Sequence, residues 1–302
     1  ALIGAFQGVL IAFLSIPSFI VTLGGLLVWR GAAFLVAGGK TIAPLDDTFS
    51  LIGGGSFGAL GKTGSWIFAV IACVFVVWAF LNGRKSRQKH GFALRPVWAE
   101  TFVIGLICAV ILGATAVVNA YVWPIGNIQK YYAALGQEVP ACAQKGGDIY
   151  SDVCASFGHG FAYPVLILIA VAIFMTILMT RTRFGRYVFA IGGNPDAAAL
   201  SGINTRAMTV KIFTLMGALA GVAAVIGAAR QNSATNAMGQ LDELYVIAAA
   251  VVGGTSLAGG VGTIYGAIIG ALILTSLQTG MVLIGFGDGS YQRIVIGIAL
   301  VL

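Results

Sequence analysis

Uncharged apolar stretches alternate with short polar connections along this chain, and the length of those stretches sets the reading. A helix needs about 20 apolar residues to cross the hydrocarbon core of a bilayer. Residues 1–29 carry no charge, but Pro17 in Ser15-Ile-Pro-Ser18 divides them. Proline lacks the amide hydrogen that a helix interior needs. A partial span, a turn and a second span from Phe19 to Val36 are therefore predicted. Residues 63–83 give a third span, 101–118 a fourth, Tyr163–Thr180 a fifth and Ile212–Ala229 a sixth. The run 244–287 is uncharged throughout, and its centre reads Gly253-Gly-Thr-Ser-Leu-Ala-Gly-Gly-Val-Gly262. That centre is predicted to turn between a seventh and an eighth span, and a ninth starts near Tyr291. The pattern predicts an all-α, polytopic transmembrane helical bundle of about nine spans or partial spans.

Composition agrees. The chain is 59% hydrophobic and 9% charged, against roughly 45–50% and about 25% in ordinary globular proteins. Lipid can solvate that much apolar surface and a soluble core cannot. The 43 glycines suit close approach of membrane helices. The chain opens inside an apolar run at Ala1 and stops inside another, 294–302. The expectation is a single transmembrane domain over 1–302, truncated at both ends.

Charge adds orientation. Lys and Arg mark cytoplasmic loops. Arg84, Lys85, Arg87, Lys89 and Arg95 follow the third span, and Arg181, Arg183, Arg186, Arg206 and Lys211 follow the fifth. Eight of the ten acids fall in the opposite loops, among them Asp46, Asp47, Asp148, Asp152, Asp242, Glu243 and Asp288. Residues 84–95 and 181–211 are thus expected on the cytoplasmic side and the long loop 119–162 in the periplasm. The net charge of +7 follows this topology, so no nucleic-acid partner is inferred. A basic loop that also reads anionic membrane lipid is compatible with it.

The outer loop carries Cys142 and Cys154. An oxidising compartment makes them disulfide candidates, and two free thiols are the other reading. Cys73 and Cys108 fall inside spans and read as small apolar side chains.

Chemistry is sparse. Gly53–Thr63 resembles a phosphate loop, but G-x-x-x-x-G-K-[ST] requires Gly where Ser56 stands. Gly262, Gly266 and Gly270 on the eighth span, and Gly217 and Gly221 on the sixth, form G-x-x-x-G units that predict helix packing. His90 and His159 have no ligand or acid at a metal-binding spacing, so neither a catalytic set nor a metal site is read. No acid lies deep in a predicted span, which argues against a proton- or sodium-driven carrier. Arg30 lies within the second span. It either faces a translocation path or snorkels to an interface. Arg293, near a helix start, reads as snorkelling.

The segment Arg181–Asn204 is neither a span nor a plain linker. Asn194 suits an N-cap, Pro195 the first helical position and Asp196 the positive end of the dipole. Ala197–Leu200 propagate the helix and Gly202 suits its stop. So short a helix is unstable alone, and it either docks on a partner or is an idle interfacial loop.

Thr182-Arg-Phe-Gly-Arg-Tyr-Val-Phe-Ala-Ile-Gly-Gly-Asn194, followed by Leu200-Ser-Gly-Ile-Asn204, resembles the coupling-helix region of bacterial monosaccharide ABC importer permeases. Ribose, xylose, arabinose and galactose permeases share it. Ile247–Thr263 with Gly266, Gly270 and Gly280 is similar to a second block of that family. Ile16–Gly24 with Arg30 and Gly31 is similar to a third. The match covers roughly residues 1–35 and 181–302, and 64–118 is an apparent extra helix pair, in which the chain is most like the xylose permease. The resemblance implies an ABC-importer-type bundle without catalysis or bound cofactor of its own. Gly192, Gly193, Asn194, Pro195, Asp196, Ala198, Leu200, Ser201 and Gly202 would form the element coupled to an ATP-binding subunit, which uses the ATP. A periplasmic sugar-binding protein and a second permease copy complete the implied complex. The implied cargo is a monosaccharide, a pentose such as xylose first. A nucleoside or autoinducer permease, and more remotely a secondary transporter, stay open as alternatives.

Overall fold

The computed structural model describes residues 1–54, 58–89, 96–121, 125–134, 136–144 and 160–285. It also describes residues 291, 294, 295, 297 and 298. The described chain divides into two compact units. One is residues 46–166, and the other is residues 1–45 with 167–302. Among the described residues all long regular structure is helical, with two isolated β-bridges.

In chain order the elements begin with α1 (Leu2–Leu14) and α2 (Ser18–Val36). Then come α3 (Asp47–Ile52), α4 (Gly61–Lys89), α5 (Val97–Ala120) and α6 (Ile125–Ala134). The remainder is α7 (Tyr163–Arg181), α8 (Arg183–Gly193), α9 (Pro195–Leu200), α10 (Thr205–Gln231), α11 (Asp242–Val252) and α12 (Ile264–Leu283). Of these, α2, α4, α5, α7, α10 and α12 are long and apolar enough to cross a membrane.

Two expected spans are shorter than a bilayer. The first, α1, has 13 residues and ends at Ser15, whose φ is 53°, just before Pro17. The seventh, α11, has 11 residues, or about 16 Å at 1.5 Å per residue. The backbone leaves the helix at Gly253 and turns left-handed at Gly254, where φ is +86°. Glycine is the residue that enters this region without a Cβ clash. Most of the ninth span, Arg293 included, lies outside the described residues.

In the unit 46–166, α4 and α5 form a helical hairpin. The polar tail Arg84–Lys89 continues α4 to 29 residues, because its basic residues are good helix formers and favour a helix C-terminus. Arg84 pairs with Glu100 of α5 at 2.6 Å, and the Cys73 and Cys108 thiols lie against each other between the same two helices. At the other end of α4, buried Ser65 donates to the Gly61 carbonyl and accepts from the Phe161 N–H, each at 2.8 Å. Phe68 and Phe161 meet edge to face with centroids 5.8 Å apart.

In the other unit, α1 packs on α10 through glycines. A methyl group on Gly4 would strike the Phe213 carbonyl, and one on Gly8 would lie 2.9 Å from the Val210 Cα. The partner position on α10 is Gly217, whose added Cβ would lie 3.1 Å from the Gly4 Cα. Backbones this close gain dispersion contacts that side chains would otherwise block. The apolar faces left over are broadly exposed, as Phe19 and Leu27 illustrate at 71% each. Lipid or partner subunits are the natural cover for such surface.

Candidate functional site

The expected coupling segment is built as its sequence dictates, with one addition. Helix α9 starts at Asn194, whose side-chain oxygen accepts the Ala197 N–H at 2.9 Å, and Pro195 occupies the first turn. It ends in a paired C-terminal motif: the Gly202 N–H donates to the Ala199 carbonyl at 3.0 Å and the Ile203 N–H to the Ala198 carbonyl at 3.1 Å. That motif needs a left-handed residue, and Gly202 has φ +84°. The Ser201 hydroxyl donates to the Ala197 carbonyl at 2.8 Å. The addition is α8, an 11-residue helix directly before α9. Its signal is present in the sequence as Phe184, Val188 and Ile191 at i, i+4 and i+7.

The faces of α9 correct one expectation. Ala198 is 4% exposed and packs into its own chain, whereas Leu200 is 90% exposed. Positions two apart on a helix lie about 200° apart, so only one of them can face a partner. Leu200 is therefore the apolar contact this helix offers, together with exposed Asn194, Pro195, Asp196 and Ser201. A charge at Ala198 would disturb internal packing before it met a partner.

A glycine clamp fixes this segment to the spans. After α11 the chain makes a tight turn in which the Ser256 N–H donates to the Val261 carbonyl at 3.0 Å and the Gly259 N–H to the Ser256 carbonyl at 3.1 Å. This turn presses on the end of α8. A Cβ on Gly192 would lie 2.8 Å from the Gly260 nitrogen, and one on Gly259, at φ +91°, would strike the Gly192 carbonyl. Gly260, at φ +74°, approaches Gly193 in the same way. Beside the clamp, α7, α8 and the turn enclose an apolar pocket of about 390 Å³ that includes Thr176, Met179, Phe189 and Tyr265.

The packing glycines fall in four settings. Gly217 sits in the α1–α10 contact. Gly266 and Gly270 sit in the α11–α12 contact, where added methyl groups would strike the Gly253 and Ala249 carbonyls. Gly262 precedes the α12 N-cap Thr263 and touches the Thr255 side chain, so it belongs to the turn and not to the helix. Gly221 faces open space among the described residues. Gly221 lies one turn farther along α10, past the point where Ala1 approaches Gly217.

Arg30 is half-buried and lines an open cavity of about 390 Å³ between α2 and the segment 235–243, whose wall is apolar at Leu26, Ala33, Met238 and Leu241 and whose Gln240 and Glu243 are exposed. Asn236, Gln240 and Glu243 line it too. The loop is anchored by paired backbone bonds between Ile42 and Ala234 at 3.0 and 2.9 Å, and by the Leu45 N–H donating to the Asn232 side chain at 3.0 Å. The sequence singles out Arg30, as path-facing or snorkelling, but not its neighbours, which no motif marks.

In the 119–162 segment, Ile128, Cys142 and Ala143 form a small core, and Gln129 donates to the Ala143 carbonyl at 2.7 Å. Cys142 is disulfide-bonded. Cys154 lies outside the described residues, as do His90 and His159. No cluster of three or more His, Cys, Asp or Glu side chains suited to a metal occurs among the described residues.

Residues 91–302 match the protein family described as branched-chain amino acid transport system / permease component. The xylose transport system permease protein of Haemophilus influenzae is 35% identical over 278 residues, covering 92% of this chain and 64% of that protein. The Escherichia coli (strain K12) xylose transport system permease protein is 35% identical over 283 residues, 93% of this chain and 61% of its own length. The galactose/methyl galactoside import permease protein of Haemophilus influenzae is 35% identical over 219 residues, 66% of this chain and 64% of it. The chain thus spans less than two thirds of the length of these curated relatives. No solved structure matches.

Proposed function

This chain belongs to the family described as branched-chain amino acid transport system / permease component and is a multi-pass protein of the inner membrane; from that premise we propose that it is the transmembrane subunit of an ATP-driven importer. The observation that carries the reading is α9: a fully capped, two-turn helix whose exposed Leu200 has no cover among the described residues. In this reading α9 docks on an ABC ATP-binding subunit. Closure of the ATPase pair moves α9 and α8 together, and the clamp of Gly192 and Gly193 on Gly259 and Gly260 passes the movement to α11 and α12. Backbone-to-backbone contact suits this role because no side chain between the elements can yield. The permease holds no cofactor and performs no bond chemistry, and ATP is used by the partner.

The cargo proposed is a monosaccharide, a pentose and first of all xylose. The family's description names an amino-acid system, but the relatives aligned over more than nine tenths of this chain are xylose permeases. A periplasmic sugar-binding protein delivers the sugar, a second permease copy completes the path beside Arg30, and membrane lipid surrounds the pair. Residues 64–118 are an added helix pair, 119–162 a periplasmic loop and 181–211 the cytoplasmic coupling region. Cys142 and Cys154 close the periplasmic loop.

Leu200→Glu tests the reading. The full-length variant, co-expressed with its ATP-binding subunit, should insert normally but lose co-purification of that subunit and ATP-dependent xylose uptake. Full assembly and full uptake would remove α9 as the coupling element. Uptake by the wild-type complex that persists after ATP depletion would instead mark a secondary transporter.

A further inference from the structure

The depth of the Arg30 cavity follows from the lengths of its walls. The far end of α11 meets the glycine turn, which packs on α8 at the membrane face of the coupling segment. From there the 11 residues of α11 reach back only about 16 Å, half of a hydrocarbon core of about 30 Å. Glu243, in the first turn of α11, is then within the membrane thickness, which corrects its sequence-based placement in an outer loop and the expectation that no acid lies at that depth. Arg30 stands six residues before the end of α2, or about 9 Å in from that end. Between α10 and α11, residues 233–241 run without a helix. Irregular backbone at membrane depth is tolerated where it lines a protein-walled or water-filled cavity, and a cavity is what this segment lines.

The side chains of Arg30, Asn236, Gln240 and Glu243 make no hydrogen bond or ion pair among the described residues. One is a donor-only fork, one an acceptor-only carboxylate and two are amides that do both. The charges of Arg30 and Glu243 cancel, which favours a neutral ligand over an ion. A volume of about 390 Å³ falls at the lower end of the range of small-molecule sites.

We propose that this cavity is a solute subsite for a neutral polyhydroxylated molecule, with Arg30 donating to, and Glu243 accepting from, its hydroxyl groups while Asn236 and Gln240 set its orientation. The inference rests on the importer reading above and adds to it where the cargo is held within the membrane. A hydroxyl is both donor and acceptor, so a ring of several can satisfy all four side chains at once. Water can do the same after release, which keeps the site weak enough to pass its cargo on.

The experiment uses the full-length permease with its ATP-binding subunit and sugar-binding protein in vesicles. Uptake of xylose is compared with that of its single-deoxy analogues, each supplied at saturating binding protein. Glu243→Gln, Arg30→Lys, Asn236→Ala and Gln240→Ala are measured beside Lys40→Gln, a basic residue outside the cavity. The expected result is a loss of discrimination at particular hydroxyl positions, roughly tenfold for the charged residues, with wild-type selectivity in Lys40→Gln. Equal loss for every sugar in all four variants would mark a structural role and overturn the subsite. So would unchanged selectivity, or loss only of the ATPase stimulation by the binding protein. Absence of any ATP-dependent sugar uptake by the wild type would overturn the importer reading, and the subsite with it.

Discussion

Single residues decide most at the left-handed positions. Gly202 holds φ +84° at the end of α9, where L side chains lose roughly 1–2 kcal/mol and β-branched ones fit worst. The expected order of ATP-binding subunit affinity is Gly202 above Asn, Asn above Ala and Ala above Val. A pull-down series over the four variants checks it, and equal binding by Gly202→Val would refute the cap. Asn194→Ala removes the bond to the Ala197 N–H and should cost about 1 kcal/mol of helix stability. Gly259→Ala differs in kind. It adds strain at φ +91° and drives a methyl group into the Gly192 carbonyl. The variant should still assemble with its ATPase while hydrolysing ATP without moving sugar. A wild-type ratio of sugar moved to ATP hydrolysed would show that the clamp does not transmit movement.

At the scale of elements, the helix pairs differ in how they are held together. The α11–α12 and α1–α10 pairs are backbone contacts through glycine, whereas α4–α5 relies on Arg84–Glu100 and on small side chains such as Cys73 and Cys108. A leucine at Gly270 must displace the Ala249 carbonyl, an overpacking cost of about 1–3 kcal/mol or more. Gly105 of α5 is exposed and an added Cβ there meets no neighbour among the described residues, so a leucine there should change little. Thermal unfolding of the two purified variants in detergent separates them, and equal melting would contradict the packing described. Neighbouring thiols in the α4–α5 hairpin give a further expectation. Mild copper-catalysed oxidation of a Cys142→Ser, Cys154→Ser variant should link Cys73 to Cys108, read by mass mapping of unreduced peptides. Recovery of both as alkylated thiols would mean that the two helices do not share this register.

For the whole molecule, the charge split predicts an orientation. The basic end of α4 and the segment 181–211 should face the cytoplasm, and 119–162 the periplasm. In a variant lacking native cysteines, an impermeant thiol reagent should label a cysteine placed at Gln137 and miss one at Ser86. The reverse pattern would invert the topology and place α9 out of reach of ATP.

Long apolar runs between charged turns made the spans legible, because lipid imposes one simple rule on length and composition. The caps of α9 were legible as well, since Asn194, Pro195 and Gly202 act on their own few neighbours. The sequence also contained the period of α8, in Phe184, Val188 and Ile191. Inward and outward faces were not legible. Ala198 and Leu200 are both plausible helix residues, and only the packing of α8, α9 and α10 turned one in and the other out. The clamp joins residues more than 60 positions apart, and the cavity brings Arg30 to Glu243 across more than 200. Local patterns determine where helices begin and end because their hydrogen bonds are local. Which glycine meets which, and which polar groups share one space, depends on long-range packing that no single stretch of chain encodes.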